Sequence, residues 1–453
     1  MVHSSYWLVA SLAVSASAFH FPGRRRLQEN PEGLLPSNDP FYAVPHDIDS
    51  FLPGEIINYR EPPSEIITYG WVPTHLKQAY QILYRTTNSL QQPTATVLTV
   101  LIPPDADYDK VLSLQMAEDS TTIDCGPSYT MQRLAQQSTL HGSNITQLQL
   151  LFAETALARK WVVIVPDYEG PDAAYTASKI TAYSILDGIR AAKHSGHITG
   201  IASDPMVGVW GYSGGASATQ VALQLQESYA PELEIVGAAM GGLSGLSKAS
   251  EIFVLNKGQS SALIPSAMIG LSSQYQELKD HIYSSLKPQF RDLFYSPLRM
   301  CLQESSLRLS FQDILGMFGT DSLPGLIEDV DRVFQIENTH PPTTIKAPLY
   351  IYQSVNDHLS DVDKIDALVR GYCEQGTTVH YERANSPNLN HVTYGLVAIP
   401  NALLWMQDRL GGKKVTEGCE WHTDTTSKLE PSLLALFPKN ISDTLEWYVN
   451  RSS

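Results

Sequence analysis

The run Val207-Gly208-Val209-Trp210-Gly211-Tyr212-Ser213-Gly214-Gly215-Ala216-Ser217-Ala218 leaves a chain few ways to fold. Met206 to Trp210 reads as a buried strand. Ala216 to Glu227 supplies helix formers, with Ala218, Val221, Ala222 and Leu225 on one face before Pro231 stops the pattern. Between them stands G-x-S-x-G, in which a sharp strand-to-helix turn holds the serine exposed, and a side chain at Gly211 or Gly215 would collide with packed backbone. Tyr212 and Gly214 complete this elbow, and Ser213 is the candidate nucleophile. A plain strand-helix turn is the competing reading, and the rest of the chain must decide between them.

The flanking segments favour an α/β fold. Tyr80 to Tyr84, a polar turn at Asn88 to Gln92, and Thr96 to Ile102 predict an antiparallel hairpin. Trp161 to Val165, Met206 to Trp210, Ile235 to Met240 and Leu349 to Tyr352 are short apolar runs of the kind buried on both faces of a parallel sheet. Ser184 to Ala192 reads as a crossover helix. From Gly241 to Lys346 the alternation stops, and amphipathic sets appear at Tyr275, Leu278, Ile282 and Leu286, then at Phe311, Ile314, Leu315 and Phe318. Pro288, Pro297, Pro324, Pro341 and Pro342 divide this stretch into short helices. The expected organisation is a core over 41–240 and 347–412, a helical cap over 241–346, and a C-terminal extension over 413–453.

At 453 residues the chain can bury an enzyme-sized core. Its 31 Lys and Arg against 47 Asp and Glu give a net charge of -16, which argues against nucleic acid and anionic membrane surfaces as partners. The apolar run Tyr6 to Val14 is too short to span a bilayer, and Ala16-Ser17-Ala18 follows it in the small-x-small pattern of a signal-peptide cleavage site, so 1–18 reads as a signal peptide. In the N-terminal segment 19–40, Arg24-Arg25-Arg26 reads either as a propeptide processing site or as a solvated basic tail. Sequons at Asn144, Asn440 and Asn450 agree with a secreted, extracellular glycoprotein. Cys125, Cys301, Cys373 and Cys419 are too widely spaced for a zinc knuckle and suit two disulfides, with three connectivities open.

A serine hydroxyl needs a base within reach and a third group to orient that base. Asp357 follows the apolar run Leu349 to Tyr352, at the end of a strand where catalytic groups collect in parallel sheets. His391 lies in the polar loop Asn388-Leu389-Asn390, ahead of the helix-like Leu396 to Leu410. The order Ser213, Asp357, His391 is that of the α/β hydrolases. Among the competitors, Asp361 and Asp363 suit the next helix's N-terminus, His358 adjoins Asp357, and His380 sits in a strand with an outward side chain.

Several blocks resemble the fungal secretory lipases: Tyr84-Arg85-Thr86-Thr87-Asn88, Glu118-Asp119-Ser120, Pro166-Asp167-Tyr168-Glu169-Gly170-Pro171, Leu186-Asp187-Gly188-Ile189-Arg190, Gly211-Tyr212-Ser213-Gly214-Gly215 and Tyr372-Cys373, in order across most of residues 40 to 425. The resemblance implies an α/β-hydrolase fold with Ser213, Asp357 and His391 as triad, and an oxyanion hole from the amides of Gly214 and Asp119. It also implies disulfides Cys125–Cys301 and Cys373–Cys419, and a cap that holds an acyl-binding tunnel. After Asp357 this chain carries Leu359-Ser360, where hydrolases often have Val-Pro or Ile-Pro. The expected activity is that of a secreted triacylglycerol lipase acting on ester substrates at a lipid–water interface through an acyl-enzyme, with no metal or organic cofactor. A serine peptidase, a short-chain esterase and a non-catalytic hydrolase-like binding module are the alternatives.

Overall fold

The computed structural model describes residues 34–68, 72–246, 248–339 and 344–424, with 434, 439, 441–443 and 446. The expected signal peptide, the Arg24–Arg26 site, and the sequon asparagines Asn440 and Asn450 lie outside the described residues, as does the side chain of Asn144.

The strands are β1 (Ile56–Arg60), β2 (Ile67–Thr68), β3 (Val72–Pro73), β4 (Gln78–Thr87), β5 (Pro93–Ile102), β6 (Asp107–Gln115), β7 (Trp161–Pro166), β8 (Met206–Tyr212), β9 (Ile235–Gly241), β10 (Leu349–Ser354), β11 (Val379–Ala384) and β12 (Cys419–Asp424). Short β2 and β3 pair with each other, and the other ten form one sheet in the order β1-β4-β5-β7-β6-β8-β9-β10-β11-β12. The β4–β5 hairpin is antiparallel from Gln78↔Ile102 to Thr87↔Pro93, and β5 runs antiparallel to β7. From β7 to β12 every neighbouring pair is parallel.

Successive side chains on a strand point to opposite faces, so each central strand feeds two cores. Val209 packs on one face with Leu98, Ile164, α2 (Ser178–His194) and α3 (Gly214–Tyr229), while Trp210 packs on the other with Leu112, Val163 and α1 (Asn144–Leu157). Between β9 and β10 lie α4 (Leu263–Ser273), α5 (Gln276–Ser285), α6 (Leu302–Leu309), α7 (Leu323–Asn338) and several shorter turns. Met268, Leu278, Phe294, Phe318 and Phe334 build a third apolar cluster there. After β10 come α8 (Val362–Glu374), α9 (His391–Val397) and α10 (Ile399–Leu410).

Two sequence expectations need correction. The spacing at Phe311, Ile314, Leu315 and Phe318 belongs to a 3-10 turn, Leu315–Met317, and not to an amphipathic helix. Phe311 sits at φ 64°, and the Asp313 carboxylate accepts from the Gly316 amide at 3.0 Å, so the backbone turns where a helix would continue. The segment Leu396 to Leu410 divides at Ala398, with Pro400 in the first turn of α10. The extension after residue 412 adds an edge strand, β12, to the sheet.

Cys125 bonds Cys301 and Cys373 bonds Cys419, the pairing that the resemblance implied. The second bridge fastens the start of β12 to α8 across 46 residues of chain. By loop-closure entropy such a link is worth about 4 kcal/mol. The double variant Cys373→Ser, Cys419→Ser should therefore lower Tm and speed amide exchange in Glu420 to Thr423, read by hydrogen-exchange mass spectrometry, while exchange in β7 and β8 stays unchanged.

Candidate active site

β8 ends at Tyr212 and α3 begins at Gly214, so a single residue makes the turn. Ser213 adopts φ 58° and ψ -124°, a conformation L-residues rarely hold, and the surroundings enforce it. A Cβ on Gly211 would lie 2.1 Å from the carbonyl oxygen of Gly215, and one on Gly215 would lie 1.9 Å from that of Gln115. Only hydrogen fits at either position, so helix and strand approach closely and Ser213 is lifted above the sheet.

His391 is the first residue of α9. Asn390 caps this helix through its Oδ1, which accepts from the amides of Val392 and Thr393 at 3.0 Å each, and the Thr393 hydroxyl accepts from the Asn390 amide at 2.8 Å. The Tyr212 hydroxyl donates to the His391 carbonyl at 2.5 Å. With its backbone fixed on both sides, the His391 ring reaches back to the elbow: Nε2 lies 2.7 Å from the Ser213 Oγ, and Nδ1 lies 2.6 Å from the Asp357 Oδ2. A carboxylate can only accept, so Nδ1 carries the proton and Nε2 is left to accept from the serine hydroxyl.

Asp357 follows β10, and its side chain is fully buried. Its Oδ2 also accepts from Gln353 Nε2 at 3.0 Å, and its Oδ1 accepts from the Leu359 amide at 2.9 Å. That last bond shows how the Leu359-Ser360 sequence closes the loop: Asp357 forms its own turn, and the Ser360 hydroxyl bonds the Leu243 carbonyl at 2.5 Å.

The competitors take other roles. Asp361 caps α8 by accepting from the Asp363 amide at 3.0 Å. The His358 ring stands edge-on to His391 with centroids 6.3 Å apart, and burial together with that neighbour holds its pKa below the usual imidazole value. His380 pairs with Glu420 on the sheet edge.

Asp119 is brought to the elbow as well. It lies on the loop after β6 at φ 48°, and its Oδ1 would be 2.3 Å from a Cβ on Gly214. That oxygen has no hydrogen-bond partner among the described residues. Burial pushes the Asp119 carboxyl up to about 6, against the opposing pull of His391 and Tyr175. The Gly214 amide, in the first turn of α3, has no acceptor within the helix and is free to serve a ligand.

Sequence reasoning missed what holds the Asp119 loop. The Tyr168 amide donates to Glu118 Oε1 at 3.0 Å, which ties the loop after β7 to the loop after β6. Glu169 is buried beside them, with neither carboxyl oxygen hydrogen-bonded among the described residues. Asp167 beneath them accepts from the Ser128 amide at 2.8 Å and from its hydroxyl. Burial, then repulsion from Glu169 and Asp167, raises the pKa of Glu118; burial, then repulsion from Asp119 and Asp167, raises that of Glu169; burial raises that of Asp167. The signal was present in the blocks Glu118-Asp119-Ser120 and Pro166-Asp167-Tyr168-Glu169-Gly170, but a buried carboxyl cluster has no periodic signature.

The parallel sheet and the serine raised on a strand-helix turn define an α/β hydrolase. The sequence model described as secretory lipase matches residues 131–418. Lipase A of Arthroderma benhamiae is 40% identical over 414 residues, covering 91% of this chain and 87% of that protein. A Mycobacterium tuberculosis protein described as a probable inactive lipase is 33% identical, covering 87% of each chain. The structure of Candida antarctica lipase A in its closed state superposes with a TM-score of 0.78 at 27% identity, over 91% of this chain and 95% of that one. The chain belongs to the secretory lipase family and is an ester hydrolase of the lipase/esterase type.

The acid cluster makes stability pH-dependent with a definite sign. A carboxyl whose pKa is raised on folding contributes stability that is fully present below its unfolded value near 4 and is lost as pH rises through the folded value. For Asp119 that window closes at about 6, and the other three raised carboxyls act in the same direction. Tm should fall from pH 5 to pH 8, by differential scanning calorimetry, and Glu169→Gln, which keeps the shape and removes one ionisation, should flatten that fall.

Proposed function

We propose that this chain is a secreted triacylglycerol lipase that works through a Ser213–His391–Asp357 triad and an acyl-enzyme intermediate. The observation that carries the reading is the unbroken chain from Ser213 Oγ to His391 Nε2 at 2.7 Å and from His391 Nδ1 to Asp357 at 2.6 Å, assembled from three separate parts of the chain. His391 takes the Ser213 proton as Oγ attacks the ester carbonyl, and Asp357 stabilises the imidazolium. The proton passes to the leaving alcohol, and water then repeats the sequence in reverse roles to release the fatty acid.

Negative charge on the carbonyl oxygen calls for fixed donors. The Gly214 amide supplies one. The resemblance implies the Asp119 amide as the second, and the position of Asp119 supports that reading, since its Oδ1 abuts Gly214.

Two features favour a lipid substrate over a small soluble ester. The insertion between β9 and β10 exposes Val254 (85%), Leu307 (74%) and Phe311 (69%), apolar side chains that a water-facing surface gains nothing by presenting. Phe311 also holds a left-handed backbone, fixed by its amide donating to the Gly258 carbonyl at 2.8 Å, a costly conformation for a bulky residue. Export is supported by the family's secretory character and by the N-terminal run Tyr6 to Val14 with Ala16-Ser17-Ala18. Among the described residues no helix is long and apolar enough to cross a membrane.

Ser213→Ala should leave secretion intact and reduce kcat on esters by about 10⁶-fold, the scale on which removing a triad serine acts. A fluorophosphonate probe should label the native chain at Ser213; a folded native chain that resists the probe supports the non-catalytic alternative. A matched peptide substrate should not turn over. In a series of esters from soluble short chains to emulsified triacylglycerols, each buried methylene adds about 0.8 kcal/mol until the acyl site is full. Phe311→Ser should slow the emulsion several-fold and leave the soluble short ester unchanged; equal loss on both would remove Phe311 from the lipid contact.

A further inference from the structure

β11 and β12 run parallel in a register that sets His380 opposite Glu420 and Glu382 opposite His422. Residues two apart on a strand share a face, so Glu420 and His422 project to the same side, beside His380 on the neighbouring strand. Their side chains converge. His380 Nδ1 lies 3.2 Å from Glu420 Oε2, His422 Nε2 lies 3.8 Å from the same oxygen, and the three atoms fall within 4.8 Å of one another. The two imidazoles stack with centroids 4.8 Å apart, and Tyr350 of β10 packs against His380 at 5.3 Å.

We propose that His380, Glu420 and His422 form a binding site for a divalent transition-metal ion of the zinc type, outside the catalytic arrangement. A tetrahedral ion with bonds of about 2.0–2.1 Å has ligand-to-ligand edges of about 3.3 Å. The two edges that meet at Glu420, 3.2 and 3.8 Å, bracket that length, and the third, between the imidazoles and within 4.8 Å, must shorten by rotation of the exposed side chains. Two imidazoles and one carboxylate are a donor set that suits Zn²⁺, Ni²⁺ or Cu²⁺ and disfavours the all-oxygen ions Ca²⁺ and Mg²⁺. Water completes the shell, and the half-exposed Glu420 and His422 leave an open path for entry.

The scaffold is fixed before any ion arrives. Cys419, next to Glu420, is bridged to Cys373, and at the other end of β12 the Asp424 carbonyl accepts from the Asn385 amide at 2.7 Å. An ion at this site staples the edge strand to β11 through side chains, in addition to the backbone pairing and the Cys373–Cys419 bridge. His380 stands four residues before the end of β11, about 13 Å along the strand from the end that leads to His391. The site's role is therefore structural, and the inference does not depend on which ester the enzyme cleaves.

The test uses full-length secreted protein carrying no polyhistidine tag, stripped with EDTA and titrated with ZnCl₂ by calorimetry at pH 7.5. The expected result is one equivalent bound in the micromolar range, weakened by about tenfold or more in His422→Ala and in Glu420→Gln, with a zinc-dependent rise in Tm that both variants lose. Metal-free variants should hydrolyse ester as fast as the native chain, which shows that they are folded. No saturable binding below millimolar zinc, zinc binding undiminished by His422→Ala, or equal affinity for Ca²⁺ would overturn the proposal.

Discussion

The contact on which the site depends is backbone against backbone, where Gly211 and Gly215 let β8 and α3 cross with no side chain between them. A methyl group at either glycine would lie 2.1 or 1.9 Å from a carbonyl oxygen, far inside van der Waals contact, so neither residue has a substitute. The close crossing leaves one residue to reverse the chain, and Ser213 takes the strained φ of 58° because strand and helix are each held by their own cores. Strain here is a consequence of packing on both sides. It makes the hydroxyl's position a property of the whole sheet and not of a flexible loop.

The partners of Ser213 are held by a different means. Asp357 sits on the loop after β10 and His391 opens α9, and each is fixed by polar contacts that use up the local backbone: a turn closed by the Asp357 carboxylate itself, a cap on α9 from Asn390, and the Tyr212 hydroxyl on the His391 carbonyl. Tyr212 therefore links the two regimes, since it belongs to the elbow and also anchors the base. The loop bearing Asp119 is held by a third device, the bond from the Tyr168 amide to the Glu118 carboxyl that ties it to the loop after β7.

What the sequence disclosed follows from which physical signals are local. The β8–elbow–α3 unit is legible because burial on both faces demands an apolar run and the close crossing demands glycine. The order of Ser213, Asp357 and His391 is legible because the fold family imposes it. β6 is central in the sheet, yet its first half reads Asp107-Tyr108-Asp109-Lys110 and carries no apolar run, so the sequence does not announce it. β12 is exposed along nearly its whole length and alternates no pattern, since its place is set by a distant disulfide and by pairing to β11. The Phe311 to Phe318 spacing misleads because Ile314 and Phe318 are buried as a helix would bury them, while one left-handed residue changes the path.

Asp119 shows why residue identity and residue role separate. Its block marks the position and the fold delivers it beside Gly214, but nothing local in the sequence says that its carboxyl is buried there with one oxygen unpartnered. Burial disfavours the charged form and raises its pKa to about 6, while His391 and Tyr175 pull the other way. The same burial raises Glu118 and Glu169 on the adjoining loops, so the charge state of the group beside the elbow follows from how these loops pack together and not from the residue type alone.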